Sequence, residues 1–271
     1  MIFQPKALIL RAPGINRDED AAAAIELAGG RAERVHINRI VDGDIQLSNY
    51  ALLIIPGGFS YGDHLGAGKL LAVDLLHRLN QQIQAFVADK RPVIGICNGF
   101  QVLVKAGILP GMTISHAPTQ LSASSEQPVT LTDNQSERFE CRWVILTADP
   151  QSVCVFTRTL TQPIEVPIAH GEGRFVSDSP ERIRSLQAAG QIALRYTNPD
   201  PGVPEYPANP NGSLDAIAGI CNQDGTVLGL MPHPENAIFP YQHPRWTREK
   251  QRAVGDGLAI FRNAVRYAAS L

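Results

Sequence analysis

Two short runs, YALLII in the strand-and-turn stretch YALLIIPGG at 50–58 and VIGI at 93–96, are apolar almost throughout and lead into glycine-bearing turns. A strand that is apolar at every position has no face to give to water. It must be covered on both sides, as a central strand is in a parallel sheet layered between helices. The flanking patterns agree. KALILRA (6–12) reads as a strand stopped by Pro13-Gly14, and DEDAAAAIELAGG (18–30) as a helix with acids in its first turn and glycines at its end. AERVHINRI (32–40) reads as a strand, residues 66–89 as one long amphipathic helix, RPVIGI (91–96) as a strand and FQVLVKAGI (100–108) as a helix. Strands alternating with helices require right-handed crossovers and a parallel sheet with helices on both faces.

The second half changes character. FECRWVILTA (139–148), SVCVFT (152–157), IEVPIAHG (164–171) and QIALRYT (191–197) read as strands around one helix, PERIRSLQAAG (180–190). Residues 216–233 read as a hairpin turned at Asp224-Gly225, and residues 255–271 as a terminal helix. NPDPGVPEYPANPNGS (198–213) is a loop. No repeat or linker divides the chain, so one domain over residues 1–271 is expected.

Composition narrows the function classes. With 44% hydrophobic and 18% charged residues in 271, the chain buries a sizeable core and is not disordered. A net charge of −2 without a Lys/Arg cluster offers no nucleic-acid surface. No apolar run reaches membrane-span length, and Lys6 interrupts the first one, so neither a membrane anchor nor a signal peptide is expected. Cys97, Cys141, Cys154 and Cys221 are too scattered for a disulfide framework or a CxxC metal site, and the expected compartment is a reducing cytoplasm.

Cys97 stands between a strand and a helix, with Gly95 and Gly99 two residues to either side. A G-x-nucleophile-x-G corner lifts one side chain out of the sheet, and the following helix points its N-terminus at it. The competing reading is a buried packing cysteine. A thiol nucleophile needs a base, and the base an orienting group. Of seven histidines, His36, His64 and His77 have no evident carboxylate neighbour, His116 and His243 fall in loops, and His170 ends a strand in AHGEGRF. His233 lies in MPHPEN, where Pro234 favours an extended backbone and Glu235, two residues on, projects to the same side. A proline-rich surface loop is the alternative. PGGFSYGDHLGAG (56–68) follows a strand, and its turn brings backbone N–H groups to the carboxyl edge of the sheet. Gly58 and Asn98 are the candidate oxyanion donors. There is no GKS/GKT ending and no GxGxxG after the first strand, which argues against a P-loop and a dinucleotide site. A zinc ion held by Cys97, His233 and Glu235 is a third option.

PGG after a strand, GICNGFQ at a corner and MPHPE near the C-terminus, in that order, resemble the triad-type (class I) glutamine amidotransferases. RAPGINRDED, PGGFSYGDHLGAG, GICNGFQVLVKAGILPG, RFECRWV, AHGEGRF, YPANPNGS and GDGLAIFRNAV are similar to the branch that forms the glutaminase component of phosphoribosylformylglycinamidine synthase, in purine biosynthesis. These motifs run from residue 11 to 265. The chain departs from many relatives at Arg17, where they carry cysteine, and in extra length around YPANPNGS. The resemblance implies an α/β, flavodoxin-like open, mostly parallel sheet with an antiparallel β extension in the second half. It implies Cys97 as nucleophile, His233 as general base and acid, Glu235 as its orienting group, and Gly58 and Asn98 as the oxyanion hole. Gln101 would hold the α-amino and carboxylate groups of glutamine, helped by backbone around His170 and Gly171. It further implies no metal or organic cofactor in this chain, with ATP and Mg2+ in a large synthetase partner and a small accessory subunit alongside. The loop at 198–213 and Arg142 are expected at or near that interface. A glutaminase of another pathway, a cysteine peptidase or chaperone-like protein of the same fold, and a binding subunit with a dead site are the rival readings, separated by substrate.

Overall fold

The computed structural model describes residues 4–111, 128–198, 202, 204–249 and 252–271. His116 and residues 199–201 and 203 of the proline-rich loop lie outside the described residues. The first half runs β1 (Lys6–Arg11), α1 (Asp18–Leu27), β2 (Arg31–His36), α2 (Ile37–Val41), β3 (Leu52–Ile55), α3 (Lys69–His77), α4 (Asn80–Ala88), β4 (Val93–Ile96) and α5 (Asn98–Lys105). The second runs β5 (Val129–Thr132), β6 (Glu140–Ala148), β7 (Ile164–His170), β8 (Arg174–Ser177), α6 (Pro180–Ala188), β9 (Ile192–Thr197), β10 (Ile217–Cys221), β11 (Val227–Leu230) and α7 (Leu258–Ala268).

One sheet has the order β2-β1-β3-β4-β11-β10-β9-β6-β7. Its neighbours are parallel from β2 to β11 and antiparallel from β11 to β7. The apolar runs occupy the middle of the parallel half. Every residue of β3, β4 and β11 is buried, as the lack of a polar face demanded. Stepping from β1 to β2 and then back past β1 to β3 reverses the direction of travel, so right-handed crossovers put helices on opposite faces. α1 packs with α7, while α5 packs on β3, β4 and β11 and against α3. The loops after β1 and β3 meet at this reversal through an antiparallel bridge between Ile15 and Gly58.

α5 is buried from Asn98 to Val104. It lies so close to the sheet that a Cβ on Gly99 would sit 1.9 Å from the carbonyl oxygen of Ile55, which only glycine avoids.

Three local expectations change. The strand expected at 32–40 ends at His36, whose ring accepts from the Asn38 N–H and caps α2. The long helix at 66–89 is two, broken where Leu79 turns its side chain into the core. The segment 152–157 is a set of turns rather than a strand: Val153 N–H donates to Gly190 and Val155 N–H to Gly225, two carbonyls on different segments. The sequence also hid a second small sheet, β5 paired antiparallel with β8. Four-residue strands are too short for their alternation to show.

Candidate active site

Three neighbouring parallel strands end together. β3 runs into Pro56-Gly57-Gly58, β4 into Cys97, and β11 into Met231-Pro232-His233, with Ile55 opposite Gly95 and Leu230 opposite Ile96. Residues 40 and 136 positions apart from the cysteine's neighbourhood thereby meet at one carboxyl edge, where open α/β sheets bind ligands.

Cys97 has φ +50 and ψ −106, a strained conformation for a residue with a side chain, directly before the first turn of α5. The turn raises the thiol off the strand, while the Cys97 N–H still bonds Leu230 O at 2.8 Å. Asn98 opens the helix, so its N–H belongs to the first turn, where no intrahelical acceptor exists. At Gly58, φ is +139 and a Cβ would lie 2.6 Å from Gly14 O. The bridge to residues 14–16 uses Asn16 N–H to Gly57 O and Phe59 N–H to Gly14 O, so the Gly58 N–H is directed away from it.

His233 and Glu235 are both buried, and His233 Nδ1 meets Glu235 Oε1 at 2.6 Å. The contact does not come from an extended segment, as expected, but from a tight turn over Pro234–Asn236. Burial opposes a charged His233 ring. The Glu235 carboxylate and the Cys97 sulfur outweigh it and push the ring up to about 10, so it holds its proton at neutral pH. Its Nε2 has no hydrogen-bond partner among the described residues. A Cβ on Gly57 would lie 2.8 Å from the His233 ring and 3.4 Å from Cys97 Cβ, which places the ring beside the thiol's own carbon.

The antiparallel half returns to this edge. β7 pairs with β6 on one side only, and its outer edge faces the site. Along that edge Glu165 N–H donates to Asp256, Pro167 O accepts from His233 N–H at 2.8 Å, and Ala169 O lies 3.8 Å from Cys97 Sγ. Pro167 is tolerated because the N–H it lacks would point outward, not into the ladder with β6.

Gly58, Cys97, Gln101, His170 and Gly171 line one cavity of about 770 Å³. Gln101 is fixed at both ends of its amide: Nε2 donates to Glu172 O at 2.5 Å and Oε1 accepts from Asn98 Nδ2 at 3.0 Å. His170 is buried, and burial together with the nearby His233 charge lowers its ring to about 3, leaving it neutral. Asn134 sets its tautomer. Asn134 Nδ2 donates to the carbonyls of Arg138 and His170, and Oδ1 accepts from Gly173 N–H, so His170 Nδ1 is the donor to Oδ1 at 3.1 Å. Asn134 thus pins the turn at 170–173. Among the described residues no group of three or more His, Cys, Asp or Glu is arranged to hold a metal ion. His243 lies elsewhere, bonded to Glu165.

Residues 4–268 match the CobB/CobQ-like glutamine amidotransferase domain. A relative from Treponema denticola, phosphoribosylformylglycinamidine synthase subunit PurQ, is 52% identical over 243 residues, 87% of this chain and 89% of that one. The chain belongs to the PurQ-type glutamine amidotransferases. The same-named subunit from Dehalococcoides mccartyi is 45% identical over 97% of both chains. A chain in the structure of PurLQS from Thermotoga maritima superposes with a TM-score of 0.72 at 31% identity, covering 98% of this chain and 99% of that one. The expected open α/β sheet with its antiparallel extension is the fold observed.

Sequence reasoning missed Pro167, Ala169 and Asn134. The first two act through backbone atoms, which any residue supplies, and nothing in their identity marks them. Asn134 stands in a polar stretch with no pattern of its own.

Proposed function

We propose that this chain is the glutaminase subunit of a phosphoribosylformylglycinamidine synthase, with residues 1–271 acting as one amidotransferase domain. The observation that carries the chemistry is the strained Cys97 corner set beside a buried His233–Glu235 pair. The pathway rests on relatives that bear that enzyme's name, among them one at 52% identity. Cys97 Sγ attacks the side-chain amide carbon of glutamine, and the oxyanion is received by the Gly58 and Asn98 N–H groups. Each such donor lowers the barrier by about 3 kcal/mol. Protonated His233 gives its Nε2 proton to the leaving nitrogen, releasing ammonia and leaving a γ-glutamyl thioester on Cys97. The ring, now neutral and still held by Glu235, takes a proton from water as it hydrolyses the thioester to glutamate. Gln101, His170 and Gly171 shape the wall that receives the α-amino and carboxylate end.

Ammonia is protonated in neutral water and ceases to be a nucleophile, so it is passed directly to a synthetase subunit. That partner, with ATP and Mg2+, converts formylglycinamide ribonucleotide to formylglycinamidine ribonucleotide in the cytoplasm, with a small accessory subunit completing the complex. The described residues contain no helix long and apolar enough to cross a membrane. Arg142 donates to the exposed Tyr206 hydroxyl at 2.6 Å, joining β6 to the proline-rich loop, and we place both at the partner interface. The test is glutamate release from glutamine, with and without the synthetase, for the native chain and Cys97→Ala. Release that needs Cys97 and rises with the partner supports the proposal, with a loss of roughly 10⁴- to 10⁶-fold in the variant. Release that ignores the synthetase removes the pathway, and none at all removes the triad.

A further inference from the structure

The glycine loop after β3 carries an acid that the Cys-His-Glu chemistry does not use. Asp63 has φ +52, is partly buried, and lines the cavity with Gly58, Cys97 and Gln101. Its Oδ1 accepts from Gly68 N–H at 3.0 Å and from Asn98 Nδ2 at 3.1 Å. Asn98 Oδ1 in turn accepts from Ser60 N–H at 3.1 Å. The carboxylate is therefore bolted to the residue that follows the nucleophile. Its second oxygen, Oδ2, makes no hydrogen bond among the described residues. A carboxylate held in place beside a nucleophile, with one oxygen to spare, is a preorganised receptor for a cationic donor.

The surroundings favour a zwitterionic ligand. Arg138 and Arg174 line the same cavity, so it offers both signs of charge. Glu172 lines it too, and the Lys105 ammonium, which donates to Ala67 O, interacts with both acids.

We infer that Asp63 binds the α-ammonium group of glutamine through Oδ2, and so selects an α-amino acid amide over an amide without that charge. The inference rests on the glutaminase reading of the same site. Asp63→Asn keeps the Oδ1 acceptor for Gly68 and Asn98 and removes only the charge. The assay is amide hydrolysis by the full synthetase complex with L-glutamine and with 4-carbamoylbutanoate, which is glutamine without its α-amino group. For Asp63→Asn, KM for L-glutamine rises roughly 10- to 100-fold with kcat little changed. Turnover of 4-carbamoylbutanoate, weak in the native complex, stays as it was. In Cys97→Ala protein, calorimetry reads the same factor in Kd for L-glutamine when Asp63→Asn is added. An equal loss on both substrates reduces Asp63 to a support of the loop and overturns the inference, as does no loss on either. Unchanged amidation with added ammonia shows that the variant complex is assembled. A native complex that releases no glutamate defeats the glutaminase reading itself, a result distinct from either.

Discussion

The two halves of the sheet serve the site in different ways. In the parallel half, β3, β4 and β11 bring the Gly57-Gly58 turn, the Cys97 thiol and the His233 imidazole together from their carboxyl ends, each on the turn that leaves the strand. In the antiparallel half, β7 delivers the outer edge of its backbone, which fixes His233 through Pro167 O and approaches Cys97 through Ala169 O. The first half places reactive groups by where strands stop. The second holds them by where a strand has no neighbour. An unpaired edge is a hazard in most sheets; here the active-site segment and Asp256 occupy it.

The sharpest way to break this division is Glu235→Gln, which keeps the shape of the residue bonded to His233 and removes its charge. Glutamate release falls about 10²- to 10⁴-fold. The stability profile changes too. His233 is raised from about 6.5 to about 10 in the folded chain, so its contribution is full below about pH 6.5 and is lost as pH rises toward 10. Denaturant midpoints of the native chain therefore drop over that window relative to the variant, whose slope is flatter. A variant with the native slope would show that Glu235 does not sustain the charged ring.

Gly99→Ala tests whether the parallel half owes its corner to close packing. The added methyl meets Ile55 O, and the fold loses about 3 kcal/mol, read as a lowered denaturant midpoint. An unchanged midpoint would mean that α5 moves freely away from the sheet. Pro167→Ala has the smallest effect and addresses the other half. If its carbonyl alone serves His233, stability shifts by less than about 1 kcal/mol and glutamate release persists. A large loss of release would give the ring itself a role.

Parts of this were legible before any coordinates. Cys97 was marked by its paired glycines, and the reason is now visible: Gly95 and Gly99 are packed so tightly that a Cβ on Gly95 would lie 2.5 Å from Gly99 O. His233 and Glu235 were marked by the flanking prolines, although the pairing arises from a turn where extended chain was expected. Asp63 stood inside a motif already singled out, yet its orientation depends on Tyr61, Gly62 and Asp63 all taking positive φ, which no periodicity announces.

The sequence alone determined which strands must be central, because a run without polar residues can be buried only between two layers, and it marked the corner where a thiol leaves the sheet. The tertiary structure decided that β7 comes back to close the site. That contact joins the Cys97 thiol to the main-chain carbonyl of Ala169, 72 positions away. Hydrophobic patterning reports which side chains are buried, but a carbonyl oxygen is common to every residue, and only the path of the chain says which one faces the thiol.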